Sequence, residues 1–251
     1  MSGHSKWSTI KRKKGAADAK RGQLFTRLAR EIAISAREGG GDMESNFKLR
    51  LSVDRARREN MPKDNIERAI KRGTGEDKSG GEIERITYEG YASNGIAVMV
   101  DCLTENRNRT VAELRHALTH SGGNMAEVGS VAWQFKRVAY FSIKAEGNDF
   151  EKIFELAVES GADDITSDNE LIEIFAPLES FKNINEKIKS SGIEIEEADL
   201  QYIPNQEITL DTEKTIKIMH VIEQLEELDD VQAVFSNMTL SEEALKELEE
   251  E

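Results

Sequence analysis

The sequence predicts an α+β protein of three domains: an N-terminal basic helical domain and two α/β domains, the last inserted into the middle one. Three observations predict it. Apolar residues recur with helical spacing up to about residue 70, and with mixed strand and helix spacing beyond Glu82. Charge changes sign at the same place. Residues 1–78 hold 20 Lys/Arg against 11 Asp/Glu, a balance of +9, and residues 79–251 hold 14 against 37, a balance of −23, which together give the net −14. Between the two regimes, the run Arg72-Gly-Thr-Gly-Glu-Asp-Lys-Ser-Gly-Gly81 reads as a flexible linker.

Residues 1–15 are polar, basic and non-periodic, and read as an arm. From Ala16 to Glu38 the pattern is helical. Leu24, Phe25, Leu28, Ile32 and Ala36 fall on one face, and Lys20, Arg27, Arg30 and Arg37 on the neighbouring one. Gly39-Gly40-Gly41 stops this helix. A second helix is expected over about 44–59, where Met61-Pro62 breaks the pattern, and a short third one around Ile66, Ala69 and Ile70. These elements define a first domain over 1–78.

Strands are expected at Ile83–Tyr91 and Ile96–Leu103, joined by the turn Ala92-Ser-Asn-Gly95. A helix over Thr110–His120 and a strand over Val131–Phe135 follow. From Arg137 a complete βαββαβ cycle runs to about Tyr202, the ferredoxin-like split arrangement. The helix at 213–228 and strand at 231–235 cannot bury their faces alone. They are expected to complete the unit begun at Glu82, giving a discontinuous domain of 82–136 plus 205–240 with 137–204 inserted. The glutamate-rich acidic tail 241–251 reads as a solvated or fraying end helix.

Composition excludes several classes. No stretch approaches the roughly 20 apolar residues that span a bilayer, and the N-terminus has no apolar run for a secretory signal. Cys102 is the only cysteine, so no intramolecular disulfide framework exists and a reducing compartment, the cytoplasm, is expected. Enzyme signatures are missing: Gly73-Thr-Gly75 lacks both a third dinucleotide-fingerprint glycine and the G-K-[ST] of a P-loop. No nucleophile elbow occurs, and the carboxylates are spread along the chain. The chain is expected to be no enzyme and to hold no cofactor. His116 and His120 stand four apart with Glu113 on the same flank, but without an H-E-x-x-H pattern or a second cysteine they make no metal site.

A basic third in an acidic protein points to nucleic acid. Lys11-Arg12-Lys13-Lys14 can neutralise several phosphates, and Trp7 offers a plane for an unstacked base or a plug that docks the arm on the helices. The alternative is a basic face paired with the acidic domains of the same molecule. Arg107 and Arg109, set among Asn106, Asn108 and Thr110 before a helix, read either as a secondary anion or partner site or as a cap with exposed arginines.

Six motifs in order carry a family likeness: Gly3-His-Ser-Lys-Trp7, Ile10-Lys-Arg-Lys-Lys14, Met61-Pro62 with Asn65-Ile-Glu-Arg-Ala-Ile70, Tyr88-Glu-Gly-Tyr91, Asn106-Arg-Asn-Arg-Thr110 and Gly122-Gly-Asn124. Together they resemble the YebC/PmpR family over essentially the whole chain. The resemblance begins at Gly3 and implies a bacterial member rather than the mitochondrial relative, a translational activator of cytochrome c oxidase. It also implies a helical domain followed by two ferredoxin-like domains, and a basic surface at Lys6, Lys11, Lys13, Lys14, Lys20, Arg21, Arg27 and Arg30.

The function expected is a nucleic-acid-binding regulator of gene expression, a DNA-binding transcriptional regulator of the YebC/PmpR type. Its contacts are expected at Lys6, Trp7, Lys11, Arg12, Lys13, Lys14, Lys20, Arg21, Arg27 and Arg30. Two alternatives stay open. One is a ribosome-associated translation factor that binds ribosomal RNA and relieves stalls on proline-rich stretches. The other is a protein-interaction scaffold. No membrane partner is expected, and a monomer is.

Overall fold

The computed structural model describes residues 18–77, 81–168 and 170–250. These form two compact units, one of residues 133–206 and one of the residues before and after that stretch. The architecture is α+β, with helices first and then two antiparallel sheets.

The larger unit begins with α1 (Asp18–Gly39), α2 (Phe47–Arg58) and α3 (Lys63–Thr74). The apolar face foreseen on α1 is buried: Leu28, Ile32 and Ala36 pack with Leu49, Val53, Ala56, Met61, Ile66 and Ala69. Asn46 fastens the α1–α2 corner. Its side-chain oxygen caps α2 by accepting from the Leu49 amide at 3.1 Å, and its amide group donates to the carbonyls of Ser35 and Gly40 at 2.8 and 2.7 Å.

α3 runs past the point where a linker was expected. Gly73 lies inside it, where α3 crosses α1 so closely that a Cβ would stand 2.2 Å from the Ala33 carbonyl oxygen. Gly73 is therefore a packing residue, and the helix ends only at Gly75, whose φ is 80°. Gly73→Val is expected to cost at least about 2 kcal/mol through overpacking. A urea midpoint equal to the parent's would show that the crossing tolerates a side chain.

Strands β1 (Glu84–Tyr91) and β2 (Ala97–Thr104) form the expected hairpin, with Asn94 in the left-handed region at φ 59° inside its turn. Helix α4 (Arg107–His120) follows, capped by Asn106, whose side chain accepts from the Arg109 amide. Gly123 lets the chain turn back tightly, since a Cβ there would meet the Tyr91 carbonyl oxygen at 2.2 Å. β3 (Asn124–Met125) then pairs with Gly90 and Tyr91.

The strand expected over Val131–Phe135 does not form as such. Residues Ala132–Gln134 make a 3-10 turn, and only Phe135 enters a strand. The cause is Glu89, whose buried carboxylate accepts the backbone N–H groups of Gly129, Val131 and Ala132 at 2.7, 2.6 and 2.9 Å. Those amides cannot also join a ladder.

In the smaller unit, β4 (Phe135–Lys144), α5 (Phe150–Glu159), β5 (Asp164–Ser167), β6 (Leu171–Ala176), α6 (Phe181–Ser190) and β7 (Glu197–Pro204) follow in βαββαβ order. The sheet order β5-β6-β4-β7 is antiparallel throughout, the ferredoxin-like arrangement. Phe141, Ile143, Ile153, Ala157, Ile184 and Ile188 are all buried.

The chain then returns to the larger unit as α7 (Thr212–Glu226) and β8 (Val231–Ser236). β8 pairs antiparallel with β2, closing the sheet order β3-β1-β2-β8. Val98, Val100 and Cys102 of β2 pack against Leu114 and Leu118 of α4 and Met219, Ile222 and Leu225 of α7. Burial pushes the Cys102 thiol above its ordinary range, as suits a small packing residue.

The end segment does form the expected helix, α8 (Glu242–Glu250), but the helix is packed rather than solvated or fraying. Ala244, Leu245 and Leu248 are buried, and the two leucines join the core of the larger unit. The five glutamates of this helix hid the apolar stripe made by Ala244, Leu245 and Leu248. Among the described residues no helix is long and apolar enough to cross a membrane, and no group of three or more His, Cys, Asp or Glu could hold a metal. The rings of His116 and His120 lie 5.8 Å apart, stacked on each other.

Candidate nucleic-acid interface

The expected contacts Lys6, Trp7, Lys11, Arg12, Lys13 and Lys14 lie outside the described residues, and of Lys20 only the helical backbone is described. Arg21 is exposed on α1, its guanidinium carbon 5.6 Å from the centre of the Phe25 ring.

Arg27 and Arg30 face elsewhere. Gln23, Arg27 and Arg30 stand four and three residues apart, so they form one stripe of α1. That stripe lies on the C-terminal end of α7. Gln23 donates to the Glu227 carbonyl at 3.4 Å, Arg27 to the Glu226 carbonyl and Arg30 to the Asp229 carbonyl. Cations and donors belong at a helix C-terminus, where the last carbonyls lack partners and the helix dipole is negative.

Beyond the carbonyls sits Asp230, whose side chain is completely buried. Arg30 reaches it at 3.1 Å and Arg109 at 2.8 and 2.9 Å, while the hydroxyls of Thr104 and Thr110 donate to it at 2.9 and 2.8 Å. Burial alone would raise the Asp230 pKa, but the hydrogen bonds from Arg109, Thr110 and Thr104, with the Arg30 charge, hold it below the usual carboxylate range.

The reading of Arg27 and Arg30 as phosphate contacts is therefore corrected. They belong to an internal junction in which a basic face meets acidic groups of the same molecule. The Arg109 half of the expected Arg107/Arg109 anion site is corrected in the same way, since Arg109 is committed to buried Asp230, whereas Arg107 makes only an exposed pair, donating through Nε to Glu84 at 2.8 Å. Further along the helices, Arg37 pairs with Glu82 and Arg72 with Glu105 at 2.8 and 2.6 Å.

Sequence reasoning missed the cations that stay on the outside. Arg55, Arg57 and Arg58 at the end of α2, and Lys63, Arg68 and Lys71 on α3, are all exposed. Arg55 pairs with Glu31 at 3.6 Å and Arg57 with Asp54 at 3.7 Å, long pairs near the surface that hold little energy. The signal was present in α3, where Ile66, Ala69 and Ile70 mark one face and leave Arg68 and Lys71 on the other. Between α1 and α3 runs a groove of about 460 Å³, floored by Phe25, Ala29, Met61 and Ala69 and rimmed by Arg68.

This geometry relocates the positive charge. Residues 18–77 hold 14 Lys/Arg against 11 Asp/Glu, only +3, whereas residues 1–17 hold five Lys/Arg and no acid.

The chain was compared with known proteins against this background. The model for the TACO1/YebC protein N-terminal domain matches residues 5–76, and the model for the TACO1/YebC second and third domain matches residues 83–238. The chain belongs to the TACO1/YebC family. Relatives include a "Probable transcriptional regulatory protein" of Geobacter sulfurreducens, 47% identical over 99% of this chain and 100% of its own length. Another, of Chlorobaculum tepidum, bears the same description and is 46% identical over the full length of both. The crystal structure of a conserved hypothetical protein from Aquifex aeolicus superposes with a TM-score of 0.83 at 40% identity, covering 90% of this chain and 93% of that one. The boundary between the two family models, after residue 76 and before 83, coincides with the change of charge and periodicity in this TACO1/YebC chain.

Proposed function

We propose that this TACO1/YebC protein is a cytoplasmic, non-catalytic regulator of gene expression that binds nucleic acid. The arm residues Lys6, Trp7, Lys11, Arg12, Lys13 and Lys14 and the outer cations of α2 and α3 provide the phosphate-facing surface. The observation that carries this reading is the distribution of exposed positive charge. α1's stripe of Arg27 and Arg30 is spent on the end of α7, so the remaining excess lies in the arm and on the exposed outer faces of α2 and α3, Arg68 and Lys71 among them. The balance of −23 beyond residue 79 would repel a polyanion over most of that stretch, so the main phosphate-facing surface lies at that one end.

The descriptions of the Geobacter and Chlorobaculum relatives as probable transcriptional regulatory proteins support a transcriptional regulator, and DNA is the first target to test. A second reading, ribosomal RNA, is favoured by one feature. α2 carries no Asn or Gln and α3 only Asn65, so these helices offer charge for phosphates but few amides for base edges. Promoter-fragment shift and ribosome pelleting, run in parallel at about 0.15 M salt, separate the two, because non-specific DNA binding is weak there. A sequence-preferring shift supports DNA, and co-sedimentation supports ribosomal RNA. Neither would leave a protein-interaction scaffold and refute nucleic acid as the ligand.

A further inference from the structure

One cleft in the larger unit is lined by none of the residues of α2 and α3. It has a volume of about 370 Å³ and runs between β1 and the first half of α4. Its floor is apolar, made by Ile86 and Tyr88 of β1 and Val111 and Ala112 of α4. Its polar groups are Arg107, Asn108 and Arg115.

Three features set this cleft apart from its surroundings. First, cations are scarce here: of the five arginines beyond residue 79, two line this one cleft, in a stretch whose charge balance is −23. Second, Arg115 is exposed and makes no ion pair among the described residues, while Arg107 has a single exposed partner, Glu84. An exposed pair of this kind exchanges readily for another anion. Third, Asn108 makes no side-chain hydrogen bond among the described residues, so its amide has both donors and acceptor to offer. Burial keeps the Tyr88 phenol above its usual range, hence a neutral hydroxyl that can donate.

The two arginines are eight residues apart on α4, which places them about 12 Å apart along the helix axis, one at each end of the cleft. That spacing suits two phosphates of one strand better than one isolated anion. The apolar floor between them suits a planar base, and the amide of Asn108 suits a base edge.

We propose that this cleft binds a single-stranded nucleic acid segment, with one base over Ile86, Tyr88, Val111 and Ala112 and its flanking phosphates on Arg107 and Arg115. The inference rests on the reading of the chain as a nucleic-acid binder, but it concerns a different surface, so the two can fail separately.

The test is fluorescence anisotropy with a labelled octa-adenylate, using the full chain, Arg115→Glu, and Ala112→Trp, which fills the cleft without changing charge. Each is made in the parent and in a background with Lys11, Lys13 and Lys14 all changed to Glu. Both cleft substitutions are at exposed positions, and equal thermal midpoints confirm folding. Each is expected to weaken binding about tenfold in both backgrounds. Arg115→Ala is expected to flatten the log–log salt dependence by about 0.7. Affinity equal to the parent's in both cleft variants would overturn the proposal. Adenosine monophosphate displacing the strand equally well per nucleotide would replace a strand by a free nucleotide, and polyglutamate doing so would replace nucleic acid by an acidic peptide. Either result overturns it too. Loss of binding through the arm background alone would support the phosphate-facing arm while refuting the cleft.

Discussion

Asp230→Ala is expected to cost about 3–5 kcal/mol of folding stability, because it strands two arginines and two hydroxyls that now converge on one buried carboxylate. The same change removes the charge that holds Arg30 against the end of α7, so α1 should loosen from that helix. Asp230→Asn keeps the shape and an acceptor, and is expected to cost less. Since the hydrogen-bonded Asp230 carboxylate titrates below its unfolded value, its contribution is complete above about pH 4 and fades as the pH falls through the folded value. Urea denaturation at neutral and acidic pH measures both effects. A substitution cost of under about 1 kcal/mol at neutral pH would mean that the network adds little beyond a surface pair.

Glu89→Gln is the second large effect. The carboxylate takes three backbone N–H groups from Gly129, Val131 and Ala132, and these bonds outweigh the burial that would otherwise raise its pKa. A glutamine presents one acceptor and an NH2 group that faces amide donors, so a loss of about 2–3 kcal/mol is expected. The loss should be local first. Amide hydrogen exchange at Gly129, Val131 and Ala132 should quicken more than exchange in β2. In the parent, this contribution also disappears on acidification, as the pH falls below about 4.3 and through the depressed folded value. Unchanged exchange at those three amides would contradict the anchoring role.

Much of the fold was legible because it rests on periodicity. Leu28, Ile32 and Ala36 declared the buried face of α1, and the cycle from Phe135 to Pro204 declared a ferredoxin-like sheet. What escaped was set by tertiary contacts with no local trace. Gly73 reads as a linker residue until α1 is seen within van der Waals distance of it. Val131 reads as a strand residue until Glu89, forty-two positions earlier, claims its amide. Leu245 and Leu248 were masked by the glutamates around them, although their spacing was helical.

The candidate site was legible in charge but not in direction. A positive residue on a helix face looks the same in sequence whether it meets phosphate or the end of another helix. Arg27 and Arg30 meet Glu226, Asp229 and Asp230, some two hundred residues away. Arg68 and Lys71 instead stay on the outside of α3. The consequence is a narrower surface for nucleic acid, concentrated in residues 1–17 and on the outer faces of α2 and α3.

The salt dependence of binding by the variant with Lys11, Lys13 and Lys14 all changed to Glu tests the central claim most directly. On duplex DNA each lost phosphate contact flattens the log–log slope by about 0.9, and on single strands by about 0.7, so three contacts remove about 2–3 units. The account predicts that loss of slope, with weaker binding at low salt and an unchanged thermal midpoint. A slope and an affinity equal to the parent's would contradict it.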